Sequence, residues 1–279
     1  MDKIVKQIFN IIKQPHKIPS KIFFKLKSLI EKFNYDEKKF IEKQNQKYVK
    51  LNLNRKMGLE KLIKIKNKYK IPNREMSSEH EIFFSSLSLN SQMNFKKILE
   101  IGTFDGNNAY LLSLIFPNAE IDTIDLESSK DDFINFYDRK NSSKKFSETR
   151  NSILEKNDKI NFIEMNSIGL CNNKEKYDLI WIDGAHGYPF VCIDIINSLR
   201  LINSNGIIMC DDVYINNVVS DKMYKSTAAF EVLTELKKEK IINFNLIYKR
   251  LNLENNSSET NRKFIAVFNP LKDNTNYEN

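Results

Sequence analysis

Residues 178–212 read DLIWIDGAHGYPFVCIDIINSLRLINSNGIIMCDD. The apolar run Leu179–Ile182 ends in Asp183, and the run Ile207–Cys210 ends in Asp211 and Asp212. Residues 188–202 between them carry apolar side chains at helical spacing. The pattern is strand, helix, strand. Strands that are apolar on both faces belong at the centre of a parallel sheet covered by helices on each side. Ligands of such sheets bind just beyond the carboxyl ends of the strands. The acids after each run therefore mark a working edge.

The same alternation extends outward from this unit. Short apolar runs predict strands at 97–102, 120–126, 160–165, 177–183, 206–212, 242–249 and 263–269, with helical stretches near 106–116, 128–156, 188–202 and 225–239. Only the polar loop LNLENNSSETNR separates the last two strands, so the final strand should insert antiparallel. The expected fold class is α/β: a Rossmann-like, seven-stranded, mostly parallel sheet with an antiparallel last strand and helices on both faces.

Upstream the chain changes character. Residues 1–78 hold 21 Lys and Arg against 7 Asp and Glu, a balance of +14 within a total of +8, so the remainder is acidic. Ile4, Ile8, Ile11 and Ile12, then Ile22, Phe23, Leu26, Leu29, Ile30 and Phe33, recur at helical spacing among lysines, separated by Pro15 and Pro19. These are basic amphipathic helices. They suit peripheral contact with an anionic membrane face, or, on the plainer reading, a packing or dimerisation arm that would make the chain a homo-oligomer. The phenylalanines lie on the apolar face and not between basic residues, which speaks against nucleic-acid stacking and against a sequence-specific nucleic-acid partner. The expected organisation is a basic helical extension over 1–78 and an α/β domain over 79–279. The cysteines, Cys171, Cys192 and Cys210, form no even framework, and the chain shows neither a secretory h-region nor a run of the roughly 18 apolar residues that span a bilayer. A cytoplasmic location follows as the expectation, with the inner face of a membrane as a peripheral variant.

The first strand runs into EIGTFDGNN, where Glu100, Gly102 and Gly106 frame a turn that opens a helix. Glycine permits a positive φ and close approach of a ligand, and the helix start offers free N–H groups. The spacing is not that of a dinucleotide fingerprint, since Phe104 takes the middle position. A tight turn with no ligand is the alternative reading. Asp125, at the end of the second strand, can accept both hydroxyls of a ribose.

Together, ILEIGTFDG, IDTIDLE, FIEMNS, DLIWIDGAHGY and GIIMCDD resemble the class I S-adenosylmethionine-dependent methyltransferases, and within them the metal-dependent O-methyltransferases of catechol and macrolide-sugar type. The resemblance covers about residues 80–270. It implies that Glu100, Gly102 and Gly106 hold the methionine part of S-adenosyl-L-methionine, that Asp125 binds the ribose, that Ser167 lies beside the adenine, and that Asp183 lines the cofactor pocket. It further implies that Asp183, Asp211 and Asp212 ligate a metal, for which hard oxygen donors favour Mg2+. The alternative is that Asp211 and Asp212 only cap the next segment. His186 matches the position of the basic residue in catechol-type relatives, and its ordinary pKa suits proton abstraction near neutrality. His16 and His80 have no such company. Tyr188 is a candidate for shaping the acceptor pocket, and Asp194 reads as a surface or supporting carboxylate. The expected reaction is methyl transfer to a hydroxyl of a small-molecule or glycan acceptor, with a sugar favoured. A phenolic hydroxyl, and a non-catalytic binding protein retaining the fold, are the competing readings.

Overall fold

The structure is a computed structural model and describes residues 35–73, 78–128, 143–215, 226–252 and 262–271. Its centre is a seven-stranded sheet in the order β3-β2-β1-β4-β5-β7-β6. The strands are β1 (Lys97–Ile101), β2 (Glu120–Asp125), β3 (Ile160–Glu164), β4 (Tyr177–Ile182), β5 (Ile202–Val213), β6 (Ile242–Tyr248) and β7 (Phe264–Pro270). The first five pair in parallel, and β7 runs antiparallel to both β5 and β6. That is the topology expected from the helix-free connection between the last two strands.

Successive side chains of a strand point to opposite faces. Accordingly, Ile98, Leu179, Trp181 and Met209 enter one core cluster, while Leu99, Ile180, Ile182, Ile208 and Cys210 enter a second on the other face. The helices are α1 (Glu37–Lys50), α2 (Arg55–Tyr69), α3 (Glu79–Leu87), α4 (Asn107–Ile115), α5 (Ser143–Leu154), α6 (Phe190–Leu201) and α7 (Ala228–Lys238). Leu62 of α2, Phe83 and Phe84 of α3, Leu112 of α4 and Leu154 of α5 build the first cluster. Val191 and Ile195 of α6 and Ala229 and Leu233 of α7 build the second. Of the helical stretch read over 128–156, the described part is Ser143–Leu154, and residues 129–142 lie outside the described residues.

Two helices of the basic extension take part in this body. Tyr48 of α1 is fully buried and shares the first cluster with the sheet. Gln44, also in α1, donates from Nε2 to the Tyr248 carbonyl at 3.0 Å and accepts from the Tyr248 N–H at 2.9 Å. Its amide thus pairs with the free side of edge strand β6 as another strand would, and Lys47 one turn later donates to the Leu246 carbonyl at 2.6 Å. Arg55 grips Glu79 through two bonds of 2.7 and 2.6 Å, which ties α2 to α3. The amphipathic stretches over 4–33 lie outside the described residues.

Candidate active site

The glycine turn is built by steric necessity. Gly102 has φ +104, and a Cβ there would stand 2.3 Å from the Asp183 carbonyl oxygen. Only a residue without a side chain lets the ends of β1 and β4 cross this closely. Gly106 caps α4 with φ +77. Phe104, between them, has φ 49 and is exposed, and its N–H donates to Asp125 Oδ2 at 2.8 Å. The turn and the end of β2 are therefore one unit, with the Asp125 carboxylate held at the sheet edge where a ribose is expected.

Glu100 is buried beneath this turn. Thr123 donates to its Oε2 at 2.5 Å and Asn108 Nδ2 to its Oε1 at 2.7 Å. Burial pushes its carboxyl up to about 7, against the lowering effect of these two donors. Ser167 opens the six-residue 3-10 segment Ser167–Asn172, and its carbonyl accepts from Asn197 Nδ2 at 3.3 Å. Ser167 also hydrogen-bonds to Asp194. The surface reading of Asp194 does not hold: only 1% of it is exposed, and burial raises its carboxyl to about 6. It sits below Gly184, where an added Cβ would lie 3.5 Å from Asp194 Oδ2.

Asp183, His186, Asp211 and Asp212 converge at the ends of β4 and β5. His186 Nε2 lies 3.8 Å from Asp183 Oδ1 and 3.6 Å from Asp212 Oδ2, with 11% of its side chain exposed. Adjacent residues in a regular strand would face opposite ways. Here the register between β5 and β7 shifts after Cys210, and Asp212 adopts φ 54, so the strand bulges and both aspartates turn to the same partner. That partner is Lys249, directly after β6. Its Nζ is 2.5 Å from Asp211 Oδ2 and also bonds Asp212 Oδ1, while Lys263 bonds Asp212 Oδ2. Lys249 is buried.

Charge coupling follows from these contacts. Burial opposes charging Lys249, but the Asp211 and Asp212 carboxylates hold its ammonium well above the ordinary lysine range. Burial likewise opposes ionising Asp212, yet Lys249, His186 and Lys263 hold it well below the ordinary carboxylate range. Asp183 is driven the other way, by burial and by the neighbouring Asp211. Burial lowers the His186 pKa despite the two acids, which keeps the ring neutral near pH 7.

Sequence reading did not find Lys249 or Lys263. A lysine after an apolar strand carries no signal of its own, and only the antiparallel return of β7 brings the two to the acids. His80 also needs correction, because it does have company: it stacks on Trp181 at 4.9 Å, bonds Ser78 Oγ, and feels the charges of Asp211 and Lys249.

The Mg2+ expectation can be tested against these residues. Three carboxylates do gather, but Lys249 and Lys263 already bind two of them, and among the described residues no group of three or more His, Cys, Asp or Glu is arranged to hold a metal ion. As arranged, the site does not fit a divalent ion.

The comparisons with known proteins bear on the whole arrangement. A family model described as a methyltransferase domain matches residues 99–213, from β1 through the Asp pair. A methyltransferase domain is thus what the segment from β1 to β5 resembles. The methyltransferase fold is shared with solved structures. The O-methyltransferase TomG from Streptomyces achromogenes, involved in tomaymycin synthesis and solved in complex with S-adenosylmethionine, is 16% identical, with 82% of this chain and 97% of TomG covered at a TM-score of 0.50. The O-methyltransferase from Bacillus cereus, solved with S-adenosylhomocysteine, is 17% identical, with 76% of this chain and 90% of that one covered at a TM-score of 0.50. Among curated proteins none matches this sequence. Among the described residues no helix is long and apolar enough to cross a membrane.

Proposed function

We propose that this methyltransferase acts on oxygen, moving the methyl group of S-adenosylmethionine to a hydroxyl of a small polar acceptor, with a sugar hydroxyl as the first candidate and His186 as the general base. The observation that carries the reading is an imidazole at the carboxyl edge, its side chain 11% exposed, facing Asp183 and Asp212 across 3.8 and 3.6 Å. A neutral ring can accept the hydroxyl proton, and the nearby Asp212 carboxylate stabilises the imidazolium that forms. The oxygen then attacks the sulfonium methyl, and the carbon–sulfur bond breaks to leave S-adenosylhomocysteine. Holding donor and acceptor in line supplies much of the acceleration. In the Bacillus cereus and TomG structures the cofactor or its product is present, which supports the same cofactor here. The Mg2+ that the resemblance implies enters no step, because lysines hold its carboxylates.

Labelled S-adenosylmethionine offered with panels of saccharides and of catechols tests the acceptor class. Transfer to a saccharide that His186→Ala lowers by roughly 100-fold or more supports the proposal. Transfer confined to catechols would move the acceptor to the phenolic class. Transfer undiminished in His186→Ala would remove the histidine from the chemistry.

A further inference from the structure

The three carboxylates at the ends of β4 and β5 raise a question of charge that the lysines answer. Asp211 and Asp212 could not lie side by side, almost wholly buried, without a cation between them. Lys249 reaches this place from β6 and bonds one oxygen of each, and Lys263 bonds the second oxygen of Asp212. Two ammonium groups bring the same charge as one divalent ion, and they occupy oxygens the ion would need. Lys249 is also braced from behind: its N–H donates to the Lys263 carbonyl at 3.0 Å, and its carbonyl accepts the Glu79 N–H at 2.9 Å. Gln44 pairs with both backbone groups of the preceding residue, Tyr248. The ammonium is placed by the fold and is not a surface side chain that has fallen inward.

We propose that Lys249, seconded by Lys263, is the resident cation of this site, a covalently attached replacement for a divalent metal, and that the protein therefore takes up no divalent ion at Asp183, Asp211 and Asp212. The inference concerns the acceptor end of the site and rests on the methyltransferase reading of that edge.

The test uses the full chain, stripped with chelator, and Mn2+ alone as probe. Binding is followed by loss of the free-ion paramagnetic signal and by the shift of the melting transition. The wild type should leave the signal unchanged at millimolar Mn2+. Lys249→Ala, which vacates the seat, should bind Mn2+ at least roughly ten-fold more tightly and gain melting temperature with added ion. If removing Lys249 leaves buried like charges that prevent folding, the same gain is read as recovery of a melting transition on adding Mn2+. Saturable Mn2+ binding by the wild type overturns the proposal whatever the variant does, and so does a variant that neither binds nor is restored by Mn2+. Calorimetry with S-adenosylhomocysteine on the same wild-type sample separates the two levels. Cofactor binding without Mn2+ binding is the expected pair, while loss of cofactor binding would strike the methyltransferase reading and leave the Mn2+ result standing on its own.

Discussion

Glu100 lies under the cofactor turn with Thr123 and Asn108 donating to its carboxyl, yet burial still raises it to about 7 from an ordinary 4.5. A raised carboxyl favours the fold most when protonated. Its contribution is full below about pH 4.5, declines as the pH rises towards 7, and beyond that the buried anion costs about 3 kcal/mol. Glu100→Gln should flatten the dependence of melting temperature on pH across that window and raise stability at pH 8. An unchanged slope would show that the charge is relieved elsewhere. Gly102 yields a sharper prediction, because φ +104 and a Cβ position only 2.3 Å from the Asp183 carbonyl oxygen leave no room for a side chain. Gly102→Ala should lose roughly 2–4 kcal/mol in denaturant unfolding. For His186, the lowered pKa places the acid limb of the pH–rate profile below the ordinary 6.5, with activity level through neutrality. These residues were legible in the sequence because glycine and acids after a strand carry position with them. Lys249 was not, since its meaning comes from a partner 37 and 38 residues away in the chain.

At the scale of elements, the strands read from apolar runs all form, and the central ones announce themselves by being apolar on both faces. Two features did not show. The bulge at Asp211 and Asp212 breaks the alternation that a sequence reader must assume, and it is what turns both carboxylates to one lysine. Edge strand β6 is closed by the side chain of Gln44, a residue whose polar identity inside a basic helix looks ordinary until the strand lies beside it. Gln44→Ala should cost about 1–2 kcal/mol and speed hydrogen exchange at the Tyr248 amide far more than at β1. Equal protection at Tyr248 would show that the helix does not seal the edge.

For the whole molecule, the division into a basic extension and a catalytic domain followed charge, and charge does not report packing. Tyr48, Leu53 and Leu62 come from the extension and share a core cluster with Trp181 and Met209 of the sheet. Tyr48→Ala should destabilise by roughly 3–5 kcal/mol, and a chain beginning at residue 79 should lose its cooperative melting transition. Retention of that transition would mean that the sheet stands without the helices. The fold as a whole was readable because its signal, alternation of strands and helices, is repeated along the chain. That helices of the extension close over the sheet edge left no such signal. The central claim, that the carboxyl edge of this sheet is an S-adenosylmethionine site, is tested most directly by calorimetric titration of the full chain with S-adenosylhomocysteine. One saturable site, weakened roughly 10-fold to 100-fold by Asp125→Ala, is the predicted result; no heat of binding by the wild type, or an affinity indifferent to Asp125, would contradict it.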